Sequence, residues 1–185
     1  GLFASSEQVD RDEFRTYLSA QDLNRHFPGM HGVGYMQLVG AGQIAVHQAI
    51  MRRGGHPDYR VFPPGQRDWY SPIIYLEPFS ENNRLAFGFD PASEGRRRAA
   101  LEQARDSGLP AMSARIKLVQ EIAGTPEQAG FLIVLPVYNH PQPIATLPQR
   151  RAAILGWVYA PFRVGDLMAG LGGPRAAALD VEIYD

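Results

Sequence analysis

The most unusual company for a charged group in this chain is Arg67-Asp68-Trp69-Tyr70-Ser71-Pro72, where a carboxylate stands among two aromatics and a proline, beside apolar Ile73-Ile74. A carboxylate buried in such a setting needs donors to meet it. Arg67, backbone amides or the N–H groups of a ligand could supply them. Asp68 therefore reads either as half of a structural ion pair or as a ligand acceptor.

Other chemistry-bearing residues are more scattered. Gly40-Ala41-Gly42-Gln43-Ile44-Ala45 follows a strand pattern and opens a helix, the setting of a dinucleotide-binding fingerprint. The acidic residue required about 20 positions later is missing, because Phe62 runs into Pro63-Pro64-Gly65. A tight strand-to-helix turn explains the glycines as well. The five histidines, His26, His31, His47, His56 and His140, lie in different elements and show no metal-ligand spacing. No Gly-x-Ser-x-Gly occurs, and Ser113 has no evident base beside it. The arginine runs at 52–53, 96–98 and 150–151 are separate and balanced by acids, as on solvated faces.

The elements that must position these residues follow from punctuation and periodicity. Asp10-Arg11-Asp12-Glu13 reads as a capping box opening a helix that ends at Pro28-Gly29. Residues 32–39 read as a strand, 43–53 as a helix and 59–62 as a short strand. Residues 68–76 form a strand interrupted by Pro72, an edge position or a break. Asp90-Pro91 opens the longest helix, 91–106, and Gly108 closes it. Segments 111–119, 130–138 and 152–160 then read as consecutive antiparallel strands, followed by a short helix at 165–171. The last eight residues alternate like a half-buried strand. Helices followed by a meander make an α+β plan around one antiparallel sheet.

Composition is consistent with that plan. The chain has 185 residues, 45% hydrophobic and 20% charged, with 19 Gly and 15 Pro, the mark of a turn-rich globular domain. A net charge of −1 gives no general attraction to nucleic acid. The absence of Cys excludes disulfides, Cys-ligated metals and a Cys nucleophile. The start at Gly1 rather than Met reads as a piece of a longer protein, with residues 1–6 the tail of an earlier helix.

Three ordered stretches resemble the CHASE domain, an extracytoplasmic sensor module of cytokinin receptors and bacterial transmembrane signalling proteins. The first is residues 67–78 with Asn82, Asn83 and Leu85-Ala86-Phe87-Gly88-Phe89-Asp90; the second is 97–108 running into 113–120; the third is 130–138 followed by 156–162. The resemblance implies a PAS-like fold. Residues 1–30 would be a helical stalk remnant and helix, 31–162 the membrane-distal ligand-binding domain, and 163–185 the start of a membrane-proximal PAS-like part. It implies a ligand cleft in which Asp68 accepts from a ring edge, as an Asp does toward adenine in plant cytokinin receptors, with Ser113 beside it. Phe62, Tyr70, Met112, Ile116, Leu135 and Tyr138 would form the wall. A small molecule, purine-like among the candidates, would be the partner, with no cofactor and no catalysis by the domain itself. The full receptor would be a homodimer anchored by flanking membrane helices, with a histidine kinase or diguanylate cyclase output. A nucleotide-cofactor enzyme using Gly40-Ala41-Gly42, or a protein-interaction module without a pocket, are the alternatives.

Overall fold

The computed structural model of the chain describes residues 9–21, 27, 29–119 and 129–172. Helix α1 (Arg11–Ser19) opens with the expected capping box: Glu13 N donates to Asp10 Oδ1 at 2.8 Å and Asp10 N donates to Glu13 Oε2 at 3.0 Å. Its buried Phe14 packs on Tyr75, with ring centroids 5.6 Å apart.

Strand β1 (Val33–Gln37) leads through β2 (Val39–Gly40) and a 3₁₀ turn into α2 (Ile44–Arg53). Then come β3 (Trp69–Tyr70), β4 (Ile73–Glu77), the single turn α3 (Glu81–Arg84) and a 3₁₀ turn, Pro91–Ser93. Helix α4 (Gly95–Ser107), β5 (Ala111–Met112), β6 (Gly130–Tyr138), α5 (Leu147–Ala153), β7 (Ile154–Arg163) and α6 (Val164–Gly172) complete the described elements. Five strands form one antiparallel sheet in the order β4-β1-β7-β6-β5, while β2 and β3 pair separately. Helices flank the sheet, which is the expected PAS-like α+β plan.

Strand β7 lies at the centre of the sheet, and its side chains alternate between two cores. Trp157 and Tyr159 face the side covered by α4, here called the inner face, with Leu101, Ala100, Ala104, Leu132 and Val134. Val158 and Ala160 face the other side, with Phe14, Val33, Tyr35, Ile74 and Val137. Trp157 is wholly buried, donates from Nε1 to Leu101 O at 3.0 Å, and stacks on Trp69 with centroids 5.6 Å apart. Gly156 sits where a Cβ would run into Met36 O and the Tyr35 hydroxyl, so the β1–β7 pairing leaves no room for a side chain there.

Several segments depart from the sequence reading for identifiable reasons. Ser71-Pro72 separates β3 from β4, as Pro72 has no N–H to place in a ladder. The strand expected over 111–119 stops after Met112, because the Ser113 hydroxyl accepts from Leu132 N at 3.0 Å and donates to Ala114 O at 2.9 Å. Pairing resumes only at an Ile116–Gly130 bridge. The long helix divides in two: Asp90 caps the 3₁₀ turn and Glu94 caps α4. Gly108, at φ 75°, closes α4 as expected. Residues 147–153 form α5 behind a Thr146–Gln149 capping box instead of leading directly into a strand. The expected strand at 59–62 is reduced to a bridge between Phe62 and Phe89. The segment expected to close the chain, and residues 1–6, lie outside the described residues. No helix among the described residues is long and apolar enough to cross a membrane.

Truncating Trp157 removes the largest side chain of the inner core. Trp157→Ala is expected to cost about 3–5 kcal/mol in urea denaturation. A loss below about 1 kcal/mol would contradict the central place given to this residue.

Candidate ligand-binding site

The inner face is almost filled. What remains between the sheet, residues 86–97 and residues 118–119 is a cavity of about 10 Å³, room for about one water molecule. Its lining includes Met36, Ile73, Phe89, Arg97, Leu132 and Tyr159. The wall is apolar apart from two groups. Tyr159 is fully buried and its hydroxyl has no hydrogen-bond partner among the described residues. Burial pushes its pKa far above the usual tyrosine value, so it is a neutral donor and acceptor. Arg97 is buried beside it, with Glu94 at 3.3 Å, the carbonyl of Lys117 in direct contact, and the Phe89 ring centroid 5.3 Å away. An unpaired buried hydroxyl is costly. That makes this cavity the place where a polar guest gains most.

The residues singled out from sequence do not form one cluster. Ser113, Ile116 and Tyr138 belong to the inner face, but two of their hydroxyls are already engaged. Ser113 bridges β5 and β6, and Tyr138 donates to Arg105 O at 2.6 Å. Tyr70 is buried in β3 and donates to Gly65 O at 2.9 Å. Phe62 packs on Phe89 with centroids 5.6 Å apart and lines an outer groove of about 450 Å³ with His56, Tyr59, Arg60 and Arg84. Met112 and Leu135 project from the opposite face, 63% and 44% exposed.

Asp68 is exposed, so the burial weighed for it from sequence does not occur. The carboxylate that is wholly withdrawn from water is Asp90. Its Oδ1 accepts from Ser71 N at 2.7 Å, Ser71 Oγ at 3.0 Å and Ala92 N at 3.1 Å. Its Oδ2 faces Arg67 Nη1 at 3.4 Å as an ion pair without hydrogen-bond geometry. Arg67 thus turns to Asp90 rather than to its neighbour. Tyr159 and Arg97 were missed. The period-2 alternation of β7 is the signal that could have found Tyr159, since it shares a face with Trp157.

The glycine motif at 40–42 lacks the geometry of a phosphate cradle. Neither Gly40 nor Gly42 has a positive φ, and a Cβ on Gly42 would meet nothing within 4 Å. Strand β2 pairs antiparallel with β3 rather than in a parallel βαβ unit. Helix α2 instead supplies His47, buried, with Nε2 at 2.9 Å from the Tyr59 hydroxyl. Burial lowers the His47 pKa to about 4 and raises that of Tyr59. No group of three or more metal-ligating side chains gathers among the described residues.

A family model described as CHASE domain matches residues 7–185, nearly the whole chain. The chain belongs to the CHASE domain family. As a CHASE domain it is an extracytoplasmic sensor domain. No curated protein matches it. Among solved structures it is similar to the ligand-binding domain of the Pseudomonas aeruginosa PAO1 amino acid chemoreceptor PctC in complex with GABA, at 15% identity and a TM-score of 0.43. That match covers 93% of this chain and 52% of the other, so the CHASE domain spans about half the length of that chain.

Two carboxylates in this CHASE domain should behave oppositely. Asp90→Ala leaves the Ser71 N–H and hydroxyl without their acceptor and Arg67 without its counter-charge, while Ala92 N keeps Ser71 Oγ at 2.9 Å, and is expected to cost about 3 kcal/mol or more. Asp68→Ala should change stability by no more than about 0.5 kcal/mol. Chemical denaturation of both variants checks the contrast, and equal losses would contradict it.

His47 adds a pH dependence. Its pKa is about 4 folded against 6.5 as the ordinary value, so the folded state binds fewer protons. Its contribution is full above pH 6.5 and is lost as pH falls from 6.5 to about 4. The expected loss is about 3 kcal/mol, read as the difference in pH profile between the parent and His47→Gln. Parallel profiles would show that His47 is not held neutral.

Proposed function

We propose that this CHASE domain senses a small molecule bound on the inner face of its sheet and reports occupancy to a cytoplasmic output. The observation that carries the reading is the unpartnered hydroxyl of Tyr159, a residue that lines the cavity together with buried Arg97. The output is a histidine kinase or a diguanylate cyclase. The receptor sits in an inner membrane with this domain in the periplasm and works as a homodimer through helices preceding α1.

A metabolite does not fit in about 10 Å³, so binding requires the cavity to open. The mechanism is population shift: the ligand favours the open arrangement by no more than its differential affinity for the two states. Ser113 precedes the segment that must move, residues 114–119, and Ile116 lies within it. Tyr70 and Phe62 stand toward the Asp90 node, and Tyr138 at the far end of α4. Asp68 meets the ligand at the rim, where a purine-like ring edge would present N–H donors. Met112 and Leu135 contribute from the other face only if β5 rearranges.

A thermal-shift screen of purines, amino acids and small carboxylates tests this. A ligand at 100-fold over its Kd is expected to stabilise the domain by about 2.7 kcal/mol. Tyr159→Phe should remain folded and lose most of that shift, and Asp68→Ala should reduce it. If no compound stabilises the domain, a protein-interaction module with a self-filled cleft is favoured. If a ligand shift survives Tyr159→Phe unchanged, the inner-face site is wrong.

A further inference from the structure

A third hollow lies at the end of the sheet where β7 gives way to α6. It has a volume of about 420 Å³ and is open to solvent, and its lining includes Met30, His31, Ser80, Asn82, Asn83 and Arg163. One wall is fixed by Asn83, whose Nδ2 donates to His31 O at 3.1 Å and Pro78 O at 2.8 Å. Ser80 Oγ accepts from Asn83 N at 3.3 Å, which leaves its hydroxyl hydrogen to donate elsewhere.

Two basic side chains converge here on one acid. His31 Nε2 lies 2.8 Å from Asp166 Oδ2, in the first turn of α6. Arg163 Nη1 reaches the same oxygen only at 3.9 Å, an ion pair without a hydrogen bond. The Nε of Arg163 is buried and has no hydrogen-bond partner among the described residues. Glu77 and Glu81 neighbour the lining residues in sequence but do not line the groove. Asp166 therefore satisfies His31 and leaves the guanidinium short of an acceptor.

We infer that this groove binds a small carboxylate, held by the Nη groups of Arg163 with Ser80 and Asn82 as further donors. A planar two-oxygen group matches a guanidinium edge, and charge-assisted bonds of this kind are the strong ones. Asp166, as a nearby like charge, favours a monoanion over a phosphate dianion. It also competes internally for the same bases, so occupancy acts on the His31–Asp166 tether of α6. The site is separate from the inner-face cavity, and neither depends on the other.

The test is an NMR titration of the 185-residue chain with acetate, and with inorganic phosphate and chloride at matched ionic strength, following the Arg163 side chain and His31. Acetate is expected to shift both, and phosphate to bind more weakly. Arg163→Gln should weaken acetate binding at least tenfold, with Arg163→Lys intermediate because it keeps the charge and loses the planar edge. Asp166→Asn should strengthen binding several-fold, and Tyr159→Phe should leave it unchanged. Identical shifts with chloride would reduce the site to general screening and overturn the inference. Wild-type affinity in both Arg163 variants would do the same, and tighter binding of phosphate would overturn the carboxylate assignment.

Discussion

A carboxylate removed from water must be surrounded by donors, and in this fold Asp90 imposes that requirement on segments far apart in the chain. Ser71 lies 19 residues earlier and commits both its N–H and its hydroxyl. Ala92 closes from the other side, and Arg67 brings a counter-charge at 3.4 Å. The same stretch is laced by backbone bonds, Asp90 N to Phe62 O at 2.7 Å and Ile73 N to Phe89 O at 2.9 Å. These ties hold the break at Ser71-Pro72 in place. With it they hold β3, so that Trp69 lies against Trp157. They also set where α4 begins. The inner core is thus assembled around a polar node as well as by apolar burial.

Helix α4 is fastened unevenly. Toward its C-terminal end the sheet holds it through Trp157 Nε1 to Leu101 O and Tyr138 to Arg105 O, while Arg98 and Arg105 cover the Trp69 ring at 4.7 and 5.9 Å. Asp106 adds a bridge to Arg151 of α5, and its two arginines hold the Asp106 carboxyl below the usual range. Solvent screens such an exposed pair, so it adds little to the hold on the helix. At the N-terminal end the helix reaches outward: Arg96 and Arg97 bind the carbonyls of Arg115 and Lys117. Those residues lie just before Leu118 and Val119, which close the cavity. The 114–119 segment is thereby tied to the helix by two arginines and to β6 by the Ile116–Gly130 bridge.

Much of this was legible in sequence where the signal is local. The capping box at Asp10-Glu13, the Gly108 stop and the strand over 130–138 depend on neighbours a few residues away and appear as read. Strand 111–119 was lost to a side chain, because the Ser113 hydroxyl took the place of a ladder partner. Asp68 and Asp90 show the same limit. Both sit in aromatic company, but only tertiary contacts decide which is buried, and Ser71 and Arg67 choose Asp90. The proposed wall carried a conflict that periodicity exposes: Met112 and Ser113 are consecutive, as are the parities of Leu135 and Tyr138, and adjacent strand positions face opposite sides.

Tyr159 and Arg163 lie four residues apart on β7, which puts the closed cavity and the open groove roughly 13 Å from each other along one strand. That strand is paired on both edges and buried at its centre, so it cannot bend to accommodate one site without disturbing its neighbours. Its Arg163 end, paired with Gly130, adjoins both the Ile116 bridge of the 114–119 segment and the first turn of α6 with Asp166. The central strand thus carries the segment that closes the cavity and the start of the following helix side by side at one end. This is the arrangement a sensor needs if occupancy at one place is to alter how the following helix is held.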